Sequence, residues 1–276
     1  MSDSIGFKSA AELSDDARGA LGSLLLGLAD SKLLLGIRYS DWILGAPSVE
    51  AGISCSAMAQ DEWGHARIVY AMLKDFDFDP DRLEHSREPG EYSNSELVDA
   101  DVSGWPELLA LNLLLDTSLS IQFESLQESR FEPVHYKARK LLEEERFHFE
   151  HARGWASRLG ETLAGRAALE QAFSTAIPIC LRRFGPDDDE LAATLVRDGI
   201  VDGRPADLRC RWLARVGPVL ESAGIGLVTA EDDGWSTRLE PDWGPWDASR
   251  RRGPGGPDED TLARARGDRN RSLLMD

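Results

Sequence analysis

The sequence predicts an all-α protein. Long stretches repeat apolar residues at helical spacing. No stretch of length alternates apolar and polar residues with a period of two. The breaks between the long stretches, such as "GAPSVE" and "FGPDDDE", hold Gly and Pro where one helix stops and another starts.

The elements follow in order. A first helix is expected over residues 10–43 and a second over 48–75. A long polar connection follows, "DFDFDPDRLEHSREPGEYSNSELVDADVSGWP", with room for short pieces of structure. A third helix starts near Pro106, favourable at a first helical turn, and runs to Ser129. Further helices are expected over 133–159, 161–184, 187–198 and 205–223, the last kinked or broken at Pro218. Residues 226–276 are rich in Gly, Pro, Trp and charge, a composition that also suits a disordered tail. Trp235, Trp243 and Trp246 are costly to leave in water, so 235–246 should dock on a surface. The expected organisation is a helical domain over 1–225 and a docking tail over 226–276 with a short terminal helix.

Charge narrows the partners. Forty-nine acidic against 31 basic residues give a net charge of −18, which disfavours nonspecific binding to nucleic acid or anionic membranes. Cys55, Cys180 and Cys210 form no CxxC pair and read as free thiols of a cytoplasmic protein. The N-terminus has no signal-peptide pattern. The most apolar run, "LGSLLLGLADSKLLLGI", is interrupted by Asp30 and Lys32.

Two short motifs carry chemistry. In "QDEWGHA", Glu62 and His65 are three apart; in "EEERFHFEHA", Glu145 and His148 repeat the spacing. Residues i and i+3 share a helix face, so each pair offers a carboxylate and an imidazole to one point. One such motif arises readily by chance in an acidic chain; two on separate long helices are more specific. Asp116, inside "LLALNLLLDTSLSIQF", adds a carboxylate in an apolar run. It is either a third carboxylate ligand, the preferred reading, or the partner of a buried ion pair or hydrogen-bond network. Two such motifs with carboxylates from two further helices make the dinuclear site of ferritin-like four-helix bundles, and oxygen and imidazole donors suit iron or manganese. The fourth carboxylate should come from the first helix, whose polar residues near the right depth are Asp30, Lys32 and Asp41. His85 reads as solvent-facing, and His151 as a neighbour of His148 or a surface residue; His135 is a weaker candidate. Asp61 and Glu144 suit capping or orienting roles, and Glu143 a solvated face.

With these residues placed, the chain resembles the phenylacetic acid catabolic family, the A and C subunits of ring-1,2-phenylacetyl-CoA epoxidase. "QDEWGHA", "EEERFH", "LLLDTSLSIQ", "RRFGPDDDE" and the tail "DWGPWDASRRRGPGGPDEDTLARAR" are similar to segments of its catalytic subunit. "LADSKLLLGIRYSDWILGAP" and "FHFEHARGWASRLGE" look more like the structural C-type subunit, which scaffolds the complex and holds no metal. The resemblance implies a ferritin-like bundle with extra C-terminal helices and a di-iron site. It places a ligand Glu fifteen residues before the Pro of an Ala-Pro turn; counting back from Pro47 reaches Lys32. Glu62, His65, Asp116, Glu145 and His148 thus match the expected metal ligands, and a cation stands in the sixth position. Lys32 and Asp116 are accordingly the residues expected to shape the chemistry. Lys32 replaces one metal's charge, leaving one metal or none, or binds metal as a neutral amine, or the register slips and Asp30 serves.

The expected function is a subunit of a multicomponent aryl-CoA oxygenase acting on a phenylacetyl-CoA-like thioester. The resemblance implies iron that activates dioxygen, a flavin and iron–sulfur reductase, and a homologous A/C-type partner or self-dimer. Arg182, Arg183 and Arg250 to Arg252 are candidates for the CoA phosphates or simple surface charge. The competing readings are a non-catalytic scaffold subunit and a ferritin-like oxidase acting on another substrate.

Overall fold

The computed structural model describes residues 6–268 and is all-α apart from one small hairpin. Its helices are α1 (Asp15–Asp41), α2 (Val49–Leu73), α3 (Pro80–His85), α4 (Trp105–Ala110), α5 (Asp116–Ser125), α6 (Glu132–Gly160), α7 (Leu163–Arg182), α8 (Glu190–Arg197), α9 (Pro205–Ser222) and α10 (Glu259–Ala265). Two short strands, β1 (Thr229–Glu231) and β2 (Gly234–Ser236), pair antiparallel with Ala230 opposite Trp235. The chain divides into two compact units, Met1–Ala20 with Gly104–Pro245, and Leu21–Ser103 with Trp246–Asp276. Each contains one of the two long helix pairs of a ferritin-like bundle.

In the unit built on α4 to α9, α5 packs against α6 and α9, and α4 packs against α7. Helix α6 shows why. Its buried residues are Val134, Ala138, Leu141, Glu145, His148, Ala152 and Ala156, one stripe at intervals of three and four. Glu145 and His148 occupy stripe positions that packing alone would give to apolar side chains. Burying them costs free energy unless partners meet them.

The expected third helix is not uniform. Residues Leu111–Leu115 form a π-helical turn between α4 and α5. A π turn leaves the i→i−4 ladder locally, and within it Leu114 O accepts from Trp212 Nε1 of α9 at 2.9 Å. The break expected at Pro218 does not occur. Pro218 lies four residues from the end of α9, where one missing N–H leaves the helix continuous. Trp235 of β2 lies against Gly217 so closely that any Cβ there would collide with the indole.

In the other unit, α1 and α2 are joined by a tight turn in which Ser48 Oγ caps α2 by accepting from Ala51 N at 3.2 Å. A Cβ on Gly36 of α1 would lie 2.5 Å from Trp63 Nε1, so this glycine sets how closely α2 approaches. Helix α1 is long and apolar enough to cross a membrane by length and composition. Its apolar window is 83% buried within the protein, as befits a core helix. The C-terminal segment of this unit, from Trp246, ties into it: Arg252 pairs with Asp99 and donates to Asn94 Oδ1 at 2.9 Å. Arg38 of α1 donates to Thr261 Oγ1 of α10 at 2.7 Å.

Candidate metal centre

Three of the residues singled out in the sequence converge in the unit of α4 to α9. The π turn delivers Asp116 as the first residue of α5, and the α6 stripe delivers Glu145 and His148. One ligand atom from each of the three lies within 4.8 Å of the others, and all three side chains are buried. His148 Nδ1 stands 2.9 Å from Asp116 Oδ2 and 3.8 Å from Glu145 Oε2. The shorter distance is a hydrogen bond, so a proton lies between ring and carboxylate. A divalent cation bound by both groups would displace that proton. Two carboxylates and an imidazole, buried and mutually close, fit one such ion.

The surrounding residues hold the donors in place. Ser120, one turn beyond Asp116, donates from Oγ to Glu145 Oε2 at 3.1 Å. Asn112, inside the π turn, donates to His148 O at 3.2 Å, and its Oδ1 lies 3.0 Å from His151 Nδ1. His151 is therefore held behind His148 by a shared asparagine. Trp105 meets it edge-on at 6.3 Å, and burial pushes its pKa down to about 4, helped by the nearby His148.

The unit of α1 and α2 holds the remaining candidates. Glu62 and His65 lie one turn apart on the buried face of α2. Lys32 Nζ donates to Glu62 Oε1 at 3.0 Å, with both side chains fully buried. Asp30 is committed elsewhere. Its carboxylate accepts from Tyr70 Oη at 2.6 Å, Ser93 N at 2.7 Å, and Arg87 Nη2 and Nη1 at 2.6 and 2.9 Å. Burial and the charge of Asp30 raise the Tyr70 pKa well above its usual value. Burial alone would lower that of Arg87, but the Asp30 carboxylate reverses the effect and raises it. Asp41 pairs with Arg264 and lies 3.6 Å from Arg38. Of the three polar residues weighed on the first helix, Lys32 is the one that meets Glu62.

Other candidates have different surroundings. His85 is half-buried and lines a cavity instead of facing solvent. Arg250 donates to Tyr92 O at 2.6 Å, and Arg183, Arg251 and Arg252 are buried, so these arginines serve the fold. Ser120 was legible as the residue one turn after Asp116. Asn112, Arg87 and Trp212 carried no comparable signal: each acts through a contact with a distant part of the chain.

Buried carboxylates and imidazoles borne on the long helices of an all-α chain define a ferritin-like protein equipped to hold a metal. The sequence profile described as "Phenylacetic acid catabolic protein" matches residues 1–239. The chain belongs to that family. It is 30% identical over 213 residues to the C-type subunit of the 1,2-phenylacetyl-CoA epoxidase of Escherichia coli (strain K12), covering 76% of this chain and 82% of that relative.

Proposed function

We propose that this chain is a subunit of a multicomponent aryl-CoA oxygenase of the phenylacetyl-CoA epoxidase type. Its relative's name supports the complex and the thioester substrate class, and the buried carboxylate–histidine group supports the metal. In this reading Asp116, Glu145 and His148 hold one iron ion, and Glu62 and His65 of α2 are the further ligands that the family resemblance implies. Iron bound there supplies dioxygen activation. The chain's own residues fix the donor geometry: Ser120 orients Glu145, and Asn112 anchors the His148 backbone. A homologous A/C-type subunit, a flavin and iron–sulfur reductase and a phenylacetyl-CoA-like substrate complete the proposed system.

The observation that carries the details is the fully buried contact of Lys32 with Glu62. An ammonium held there repels a divalent ion and supplies a positive charge to Glu62 in its place. One metal, not two, follows. The competing reading, which the iron measurement excludes or selects, is a scaffold subunit in which no metal binds.

Iron per chain, measured on wild type and Lys32→Glu after expression with iron, separates the readings. About one iron in the wild type and about two in the variant support the mononuclear centre. About two in the wild type remove the role given to Lys32. None in the wild type with iron in the variant assigns the scaffold. None in either removes the metal reading of Glu62, His65, Asp116, Glu145 and His148.

A further inference from the structure

The cavity lined by His85 lies in the unit of α1 and α2. Its volume is about 310 Å³. Its apolar wall comprises Ile37 of α1 with Trp63 and Tyr70 of α2; its polar wall includes Arg67 of α2 and Arg264 and Arg266 at the end of α10. Among the described residues, none that lines it is acidic, although the chain carries 49 acidic residues against 31 basic ones.

The aromatic wall is fixed in advance. The Trp63 indole lies on Gly36, and the Tyr70 hydroxyl is bonded to Asp30 at 2.6 Å. The cations divide into two kinds. Arg264 is neutralised by Asp41, Asp101 and Asp260. Arg67 is exposed at the cavity and makes no ion pair or hydrogen bond among the described residues. Arg266 rests one Nη on Arg87 O and lies 4.0 Å from the exposed Glu88 Oε1, but its Nε is buried without an acceptor among the described residues. A buried guanidinium N–H with nothing to donate to is costly, and an anion in the cavity would supply the acceptor.

We propose that this cavity binds a small planar aromatic carboxylate, its ring on the Trp63–Tyr70 wall and its carboxylate between Arg67 and Arg266. The wall offers flat apolar area, and guanidinium groups match a carboxylate in shape and charge. The volume suits a one- or two-ring acid and excludes a nucleotide or an intact coenzyme thioester. The site uses none of the residues assigned to metal.

Calorimetric titration of the full chain tests this, with 2-naphthoate, 2-naphthamide and 2-naphthyl phosphate as probes. Saturable binding of 2-naphthoate is expected, with the uncharged amide at least about tenfold weaker, the effect of losing one charge-assisted hydrogen bond. Arg67→Gln, on an exposed helix position, should weaken the carboxylate by about tenfold and leave amide binding and the melting temperature unchanged. Trp63→Leu should weaken both probes. Absence of saturable binding, equal affinity for acid and amide, or an unaltered affinity in Arg67→Gln would overturn the proposal. Tighter binding of the phosphate than of the carboxylate would overturn the carboxylate assignment and make this a phosphate site. Iron content is expected to be the same in all these variants, so failure here is distinguishable from failure of the metal reading.

Discussion

Lys32 Nζ stands 3.0 Å from Glu62 Oε1, and neither side chain reaches solvent. An isolated ion in such surroundings is costly; a pair is tolerable because each partner cancels the other's charge. Lys32→Met should therefore destabilise the protein by about 3–5 kcal/mol, by leaving a buried carboxylate without its cation. Lys32→Met with Glu62→Gln should recover part of that loss. Urea unfolding of wild type, both single variants and the double variant gives the coupling. Strict additivity would show that the contact carries no pairing energy.

The second buried ion pair makes a separate prediction. Asp30 accepts from Arg87, Tyr70 and Ser93, so Asp30→Asn keeps the shape and removes the charge. Arg87, 3% exposed, is then left without its counter-ion. The expected loss is about 3–5 kcal/mol. A loss below about 1 kcal/mol, the range of surface ion pairs, would mean that water reaches this network in solution.

The low pKa of His151 predicts a pH dependence. The folded value is about 4 against an ordinary 6.5, so between these values the unfolded chain binds a proton that the folded chain does not. Stability contributed by keeping His151 neutral is thus present above pH 6.5 and is lost as pH falls toward 4. His151→Gln should lessen the acid sensitivity by on the order of 1–3 kcal/mol across that window, read as the difference between wild-type and variant unfolding curves. Parallel curves would sink the assignment of that sensitivity to His151.

Thiol reactivity follows from burial. Cys55 and Cys180 are fully buried, and burial pushes the Cys55 thiol up to about 11; Cys210 is exposed. An aromatic disulfide reagent at neutral pH should label Cys210 quickly in the native protein and the other two only on unfolding. Fast labelling of Cys55 would report opening of the α1–α2 core.

Much of this arrangement could be read from residue order. The stripe on α6 is periodic, so Glu145 and His148 announce themselves as charges where packing wants apolar groups. Asp116 stands out for the same reason, within a leucine run. Lys32 needs more: counting back from Pro47 in a family pattern puts it at the sixth ligand position, and only the fold shows that it meets Glu62. The partners of Asp30 were beyond reach, because Arg87 and Ser93 sit in a polar connection with no period and meet Asp30 only after the chain folds back. At Pro218, where the sequence predicts a kink or a break, the helix is not broken: the proline forgoes one bond to the residue four before it and α9 continues to Ser222. The π turn was invisible, since "LNLLL" is as good an α-helix as a π-helix by composition and differs only in which carbonyl each N–H selects.

That turn makes residue number, more than residue type, the determinant of where Asp116 points. Every residue advances an α-helix by about 100°. The surplus residue accommodated within Leu111–Leu115 sets the face of α5 out of phase with the face of α4, so one rod carries two orientations. Deleting a single leucine from this run would leave a sequence just as apolar and just as helical. It would let the run close as a regular α-helix with the Asp116 carboxylate still directed at His148, because the π turn takes up the residue that is lost. Among relatives of this chain, a one-residue gap at this place is therefore compatible with the same centre, whereas a gap elsewhere in α4 or α5 would turn the carboxylate by about 100°.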